Sequence, residues 1–326
     1  MDTTRAEQLT PGLGSAALAD PRGKRQTSLW LDAWRRLRRN RLAVVGMAFL
    51  VLLTVVALGA PLLAPEPFDQ QNLTAITQPP GPGHLLGTDG LGRDVLSRLI
   101  YGARVSLAVG LVVELMIVLI GVPVGLLAGY RGGWLDNVLM RLVDVLYAFP
   151  NLLFVIVIMT YLKALLARPS AGLLGPVVLL NKASGGLLGV FIGLGLISWL
   201  TVSRLVRGQI LSLKRKEYVE AARALGATDA RIMRVHLLPN TLAPVIVAAT
   251  LGIPGAILYE AGLSFLGLGV EPPTPSWGLM ISEGIKFMQS YPYMLVGPVV
   301  ALSLTMLSFN FLGDGLRDAL DPWMKK

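Results

Sequence analysis

Glu220-Ala221-Ala222-Arg223-Ala224-Leu225-Gly226, followed after nine further residues by His236-Leu237-Leu238-Pro239, is a polar interruption between the fourth and fifth of six long apolar stretches. From Lys214 to Leu225 every residue is a good helix former except Tyr218 and Val219, and Gly226 supplies a stop. Thr228 then caps a second helix with Asp229 in its first turn, running to Leu238 before Pro239 opens the next apolar stretch. The sequence thus predicts a short helix, a sharp turn and a second short helix. Ala221, Ala222 and Ala224 keep the first helix slim enough to enter a groove on another protein, and Glu217, Glu220 and Arg223 can pair across its rim. The same spacing also fits an ordinary solvated amphipathic loop.

The flanking stretches set the fold class. Of 326 residues 53% are hydrophobic and 15% charged, with a mean hydropathy of +0.62, which excludes an ordinary soluble domain. A hydrocarbon core about 30 Å thick takes roughly 20 apolar residues per helix. Six stretches approach or exceed that length: Leu42 to Ala64, Val105 to Tyr130, Val145 to Leu162, Ala183 to Ser203, Leu237 to Tyr259 and Phe287 to Gly313. A backbone in lipid must satisfy its own hydrogen bonds, and the alternation of a barrel strand is absent, so an all-α polytopic membrane protein with six transmembrane helices is expected.

Orientation follows from the cations. With the N-terminus in the cytoplasm, the tail before Leu42 holds nine Lys/Arg and Arg204 to Arg234 holds eight. Arg131, Arg141, Arg317, Lys325 and Lys326 fall on the same side, so both termini are expected to be cytoplasmic. The net charge of +9 then reads as topology and contact with anionic lipid. No aromatics interleave the basic runs as a nucleic-acid surface would require. With no cysteine, thiol chemistry and disulfides are excluded. The first stretch exceeds a signal-peptide core and is followed by Ala64-Pro65-Glu66-Pro67, a poor cleavage site, so it is expected to remain as a span.

Residues 1–28 lack apolar periodicity and are expected to be disordered. Leu29 to Arg41 puts Trp30, Trp34 and Leu37 on one face and arginines on the others, which predicts an interfacial helix. The outer segment from Pro65 ends in Gly87-Thr88-Asp89-Gly90-Leu91-Gly92-Arg93-Asp94, where Asp94 stands one helical turn before Arg98 and Leu96, Leu99 and Ile100 share a face. A short amphipathic surface helix is expected there, either plugging the outer helix ends or touching substrate. Before the third stretch, Asp136, Arg141 and Asp144 cannot face lipid cheaply, and Arg141 with Asp144 makes a plausible pair. Pro239, Pro244 and Pro254 with Gly252 and Gly255 predict a kinked or broken fifth span.

The Glu220 to Pro239 segment resembles the loop by which permeases of ATP-binding-cassette (ABC) importers dock onto their ATPases: Glu-Ala-Ala, three residues, Gly, nine residues, an aliphatic position, any residue, Leu, Pro. His236 occupies the aliphatic position, a departure that suggests a packing or interfacial role. The Gly87 to Leu107 run, the loop Leu263-Ser264-Phe265-Leu266-Gly267-Leu268-Gly269 through Trp277-Gly278, and the tail Gly313 to Pro322 narrow the likeness. Together they are similar to the second permease subunit of dipeptide, oligopeptide and nickel importers, from about residue 29 onward. The resemblance implies a type I ABC importer permease bundle in the cytoplasmic membrane. Its partners would be a homologous second permease subunit, two cytoplasmic ATPases and an extracytoplasmic solute-binding protein. It implies ATPase-coupling roles for Glu217, Glu220, Ala221, Ala222, Arg223, Gly226 and Pro239. The expected division is a tail over 1–28, interfacial helix and first span over 29–64, an extracytoplasmic segment over 65–104, the permease core over 105–313 with its coupling loop at 204–238, and a tail over 314–326.

The chain carries no phosphate-binding Gly-x-x-x-x-Gly-Lys-Ser/Thr run, so ATP hydrolysis would belong to partners. Only His84 and His236 are present, on opposite sides in this topology, so no catalytic residue, metal site or cofactor is expected. Glu114 interrupts the second stretch, where a carboxylate is expensive and faces a cavity or a partner. It could touch the positive amino end of a peptide in the translocation path, or form a structural pair, or stay protonated against another subunit. Two further readings stay open: a nickel chelate or other small solute as cargo, and a non-transport scaffold that merely recruits a cytoplasmic partner.

Overall fold

The computed structural model describes residues 29–166 and 175–321, and the tail over 1–28 lies outside the described residues. The helices are α1 (Leu29–Leu37), α2 (Arg41–Leu58), α3 (Ala60–Leu63), α4 (Val95–Arg131), α5 (Gly133–Ala148), α6 (Asn151–Leu166) and α7 (Gly175–Ala183). They continue with α8 (Leu187–Ser198), α9 (Leu200–Leu213), α10 (Glu217–Ala224), α11 (Asp229–Arg231), α12 (Leu238–Phe265), α13 (Trp277–Ile285) and α14 (Tyr293–Leu320), and a π-helical turn over Ile232–Leu237 joins α11 to α12. Among the described residues, five helical segments are long and apolar enough to cross a membrane: Arg41–Leu58, Val95–Arg131, Leu187–Leu213, Asp229–Phe265 and Tyr293–Leu320. The pair α5 and α6 makes a sixth if counted as one span, bent by 91°.

The central helix is α4, laid against α8 and α9 along Val109, Val113, Ile117, Val202, Val206 and Ile210. Lipid is as apolar as leucine, so burial from water does not drive this contact; close packing does. Gly121, Gly125 and Gly129 recur every fourth residue on α4, and a Cβ at these positions would press on the backbone oxygens of Trp199, Ser203 and Arg207. A second cluster joins α2, α4, α12, α13 and α14 through Leu50, Leu107, Ile257, Trp277 and Phe309. In a third, Ala33 and Leu37 of α1 meet Ala43 and Ala319, and Arg36 donates to the Asp321 carbonyl at 3.3 Å. The bundle therefore has one end formed by α1, α10 and the close of α14, called the basic end below, and an opposite end formed by α3, residues 64–94 and α13.

Several expectations are corrected. The short outer helix is not separate: Val95 onward is continuous with the second span, because Asp94 caps it by accepting from the Ser97 N–H at 2.7 Å. Asp94 therefore does not pair with Arg98. The third stretch, expected over Val145 to Leu162, straddles a bend: the amphipathic approach is α5 itself, and the chain turns sharply at Phe149-Pro150 into α6. Asp144 pairs with Arg204 of α9 instead of Arg141. Of the kinked or broken fifth span expected, the break is not found: α12 runs continuously through Pro244 and Pro254, and a π turn precedes it. The fourth span reaches Leu213, the sixth begins at Tyr293, and the helix expected from Lys214 starts at Glu217. On α1 the core-facing residues are Ala33 and Leu37, while Trp30 and Trp34 stay exposed, as lipid-facing aromatics would.

Candidate functional site

At the basic end α10 has Glu217 and Glu220 in its first turn and Arg223 in its last, which suits the helix dipole at both ends. Its close is a Schellman turn: Gly226 N–H donates to the Arg223 carbonyl and Ala227 N–H to the Ala222 carbonyl, each at 3.0 Å. Gly226 sits at φ +80°, where a side chain is disfavoured. Thr228 caps the following turn by accepting from the Arg231 N–H at 3.4 Å, as its position predicted.

One residue anchors α10. Val219 is 0% exposed and joins Ile210, Ile232 and Leu237 in the core, whereas Glu217, Glu220, Ala221, Arg223 and Gly226 are exposed and Ala222 is half-buried. Pro239 is exposed in the first turn of α12, directly after the π turn. His236 packs on Tyr218, with ring centroids 6.2 Å apart, so its role is contact between α10 and the π turn. Leu225, which the polar character of the segment hid, is 89% exposed at the tip.

Side chains tie this segment to the bundle. Tyr130 at the end of α4 donates to Asp229 at 2.6 Å, and Lys214 donates to the Gly129 carbonyl at 2.7 Å. Arg207 of α9 holds Asp136 of α5 through two bonds of 2.6 and 2.7 Å. Arg204 meets Asp144 and lies 4.1 Å over the Tyr147 ring, whose hydroxyl bonds Thr201. The turn after α10 is thus bonded to the end of α4, and α9 in its turn is bonded to α4 and α5.

Midway along α4, Glu114 is 5% exposed and lines a cavity of about 230 Å³ between α4, α8, α9 and α12. Gly252 of α12 stands opposite, and a Cβ there would collide with the carboxylate. The structure thus keeps Glu114 apart from α10 and Pro239, on a separate site deep in the bundle.

The family described as binding-protein-dependent transport system inner membrane component matches residues 121–326, and the N-terminal TM domain of oligopeptide transport permease C matches residues 28–80. The oligopeptide transport system permease protein OppC of Bacillus subtilis (strain 168) is 40% identical over 97% of both chains. The chain belongs to the binding-protein-dependent transport permease family. The dipeptide transport system permease protein DppC of the same organism is 43% identical over 90% of this chain and 86% of its own. Among solved structures, one titled for inward-facing conformations of the MetNI methionine ABC transporter superposes with a TM-score of 0.51, at 22% identity, covering 69% of this chain and 97% of that one. That likeness shows the fold, a type I ABC importer permease bundle. The protein is therefore a multi-pass inner-membrane permease subunit of an ABC importer; such subunits work with ATPase and binding-protein partners, and the ATPase subunits hydrolyse ATP.

The permease closes its opposite end with a charge network. Arg93 donates to Asp89 at 2.6 Å and to Glu283 of α13 at 3.1 Å, and Arg98, only 1% exposed, reaches Glu283 at 2.8 Å and Asp89 at 3.4 Å. Two cations and two anions thus balance, and the Gly87 to Leu107 run is tied to α13. Trp277 of α13 donates from its indole to the Leu99 carbonyl and from its backbone to Ser106 Oγ, each at 3.1 Å. Ser276 caps α13 by accepting from Leu279 N–H, and donates its own proton to Glu260, which also accepts from Ser264. These partners are 16 to 190 residues apart except Ser264 and the local pairs, so only the motif likeness signalled them.

Proposed function

We propose that this permease forms, with a homologous second permease subunit, the path by which di- and oligopeptides cross the cytoplasmic membrane, driven by two cytoplasmic ATPases and supplied by an extracytoplasmic solute-binding protein. The peptide cargo rests on relatives of about 40% identity named for oligopeptide and dipeptide transport, which favours peptides over a nickel chelate. Both termini lie in the cytoplasm, because that orientation puts the Lys/Arg-rich segments on the inner side. The division into an interfacial helix with the first span, an outer segment, a permease core and its coupling loop follows from the same topology.

The observation that carries this reading is α10: a capped helix anchored by Val219 and the Tyr218–His236 contact, with Glu217, Glu220, Ala221 and Arg223 exposed, and followed by a turn whose Asp229 is bonded by Tyr130 of α4. Glu217, Glu220, Ala221, Ala222, Arg223, Gly226 and Pro239 form the part that docks in an ATPase groove. ATP binding closes the ATPase pair, α10 moves as a lever, and the bundle shifts between inward-facing and outward-facing states. Such coupling works only because ATP favours one of the two states. The test is ATP-driven peptide uptake into vesicles holding the complete transporter. Glu220→Lys and Gly226→Asp are expected to insert normally and transport nothing; normal uptake by either contradicts the lever.

A further inference from the structure

Glu114 is a buried acid with no partner. It is 5% exposed, lies at the middle of a 37-residue membrane helix, and among the described residues makes no hydrogen bond or ion pair. A carboxylate in such a place is costly unless something cationic meets it. The cavity it lines contains no Lys, Arg or His; the rest of the lining is apolar or small except the hydroxyls of Ser198, Thr201 and Tyr259, and Thr201 is already engaged by Tyr147. On the facing helix, Gly252 leaves room for the carboxylate, and Gly255, one turn on, faces open space.

We infer that Glu114 is a binding residue for a primary ammonium group of the cargo within the membrane, with Ser198 and Tyr259 as auxiliary acceptors. This rests on the peptide-importer reading given above. An ammonium carries three N–H donors and no acceptor, which suits a cavity whose lining offers one carboxylate and the hydroxyls of Ser198 and Tyr259. At about 230 Å³ the cavity is smaller than the roughly 300–1,000 Å³ that encloses a whole ligand, so it holds one end of a peptide. Two sources share this chemistry: the peptide's α-amino group and a lysine side chain. A fixed cation from the companion permease is the competing occupant.

The experiment uses the assembled transporter, with both permeases and both ATPases, in lipid nanodiscs without binding protein or nucleotide. Equilibrium binding is measured for trialanine, N-acetyl-trialanine amide and N-acetyl-Ala-Lys-Ala amide. The wild type is expected to bind trialanine roughly 10- to 100-fold more tightly than its N-acetyl amide, and Glu114→Gln to lose that advantage while binding the amide unchanged. Glu114→Asp, which keeps the charge, retains the preference. A loss on Glu114→Gln confined to trialanine assigns the α-amino group, and a loss shared by the lysine peptide assigns any primary ammonium. Equal binding of all three peptides by the wild type overturns the inference without any variant, as does unchanged binding of both ammonium-bearing peptides by Glu114→Gln. ATP-driven trialanine uptake with binding protein present, in wild-type vesicles, separates the two failures: its absence refutes the peptide-importer reading, while its presence with no ammonium preference refutes only the role of Glu114.

Discussion

Arg207 grips Asp136 with both ends of its guanidinium fork, Nε to Oδ1 at 2.6 Å and Nη2 to Oδ2 at 2.7 Å, and so ties α9 to α5 across 71 residues of sequence. Asp136 is largely buried and Arg207 about one-third exposed, so solvent screens the pair only in part. A double-mutant cycle with Asp136→Ala and Arg207→Ala is expected to give a coupling of roughly 1–2 kcal/mol in thermal unfolding of the purified complex. Arg207→Lys should not restore it, because an ammonium cannot bond bidentately. Additive effects of the two substitutions contradict the link.

Gly226 holds the close of α10 at a positive φ. Gly226→Val is expected to cost about 1–2 kcal/mol locally and to speed amide exchange at Ala227 roughly 5- to 30-fold, since the Schellman bond from that amide depends on the glycine conformation. Exchange elsewhere in the membrane helices should stay unchanged. Unaltered protection at Ala227 would show that the turn does not need the glycine.

Arg98 is almost wholly buried between Asp89 and Glu283. Arg98→Ala leaves Arg93 as the one cation between the Asp89 and Glu283 carboxylates and is expected to destabilise the end of the bundle opposite α10 by about 1–3 kcal/mol. Limited proteolysis of the purified complex checks this, with cleavage between Pro65 and Asp94 appearing in the variant alone. Resistance equal to wild type refutes the network's structural role.

Ser276 both caps α13 and donates to buried Glu260. Ser276→Ala should cost about 1–2 kcal/mol, read as a lowered melting temperature, and Ser276→Thr should recover part of it because the hydroxyl returns.

The spans and the helix Glu217–Ala224 were legible because their signals are local. A run of about 20 apolar residues reads directly as a crossing, and Glu220 to Gly226 carries its own helix formers and its own stop. Pairings between distant residues were not legible. Arg141 and Asp144 have the right spacing for a pair on one helix, yet the fold presents Arg204 to Asp144 from α9, and spacing cannot reveal a neighbour that only packing brings. The outer helix fused with the second span for a related reason: Asp94 spends its carboxylate on the helix N-terminus and on His84, leaving Arg98 to Glu283 on α13. The position of Glu114 followed from the length of the apolar run alone, but the cavity beside it depends on Gly252, which lies 138 residues further along and looked like a helix breaker.

Leu225 offers the most direct measurement of the central claim, that α10 docks on an ATPase in the cytoplasm. The chain contains no cysteine, so Leu225→Cys provides a single thiol at the exposed tip of the segment, and Leu85→Cys a matching thiol at the opposite end. Inside-out vesicles holding the complete transporter are treated with a short bifunctional thiol crosslinker. The account predicts an adduct between Leu225→Cys and an ATPase subunit carrying a surface cysteine beside its groove, and none from Leu85→Cys. An ATPase adduct formed by Leu85→Cys and absent from Leu225→Cys contradicts it.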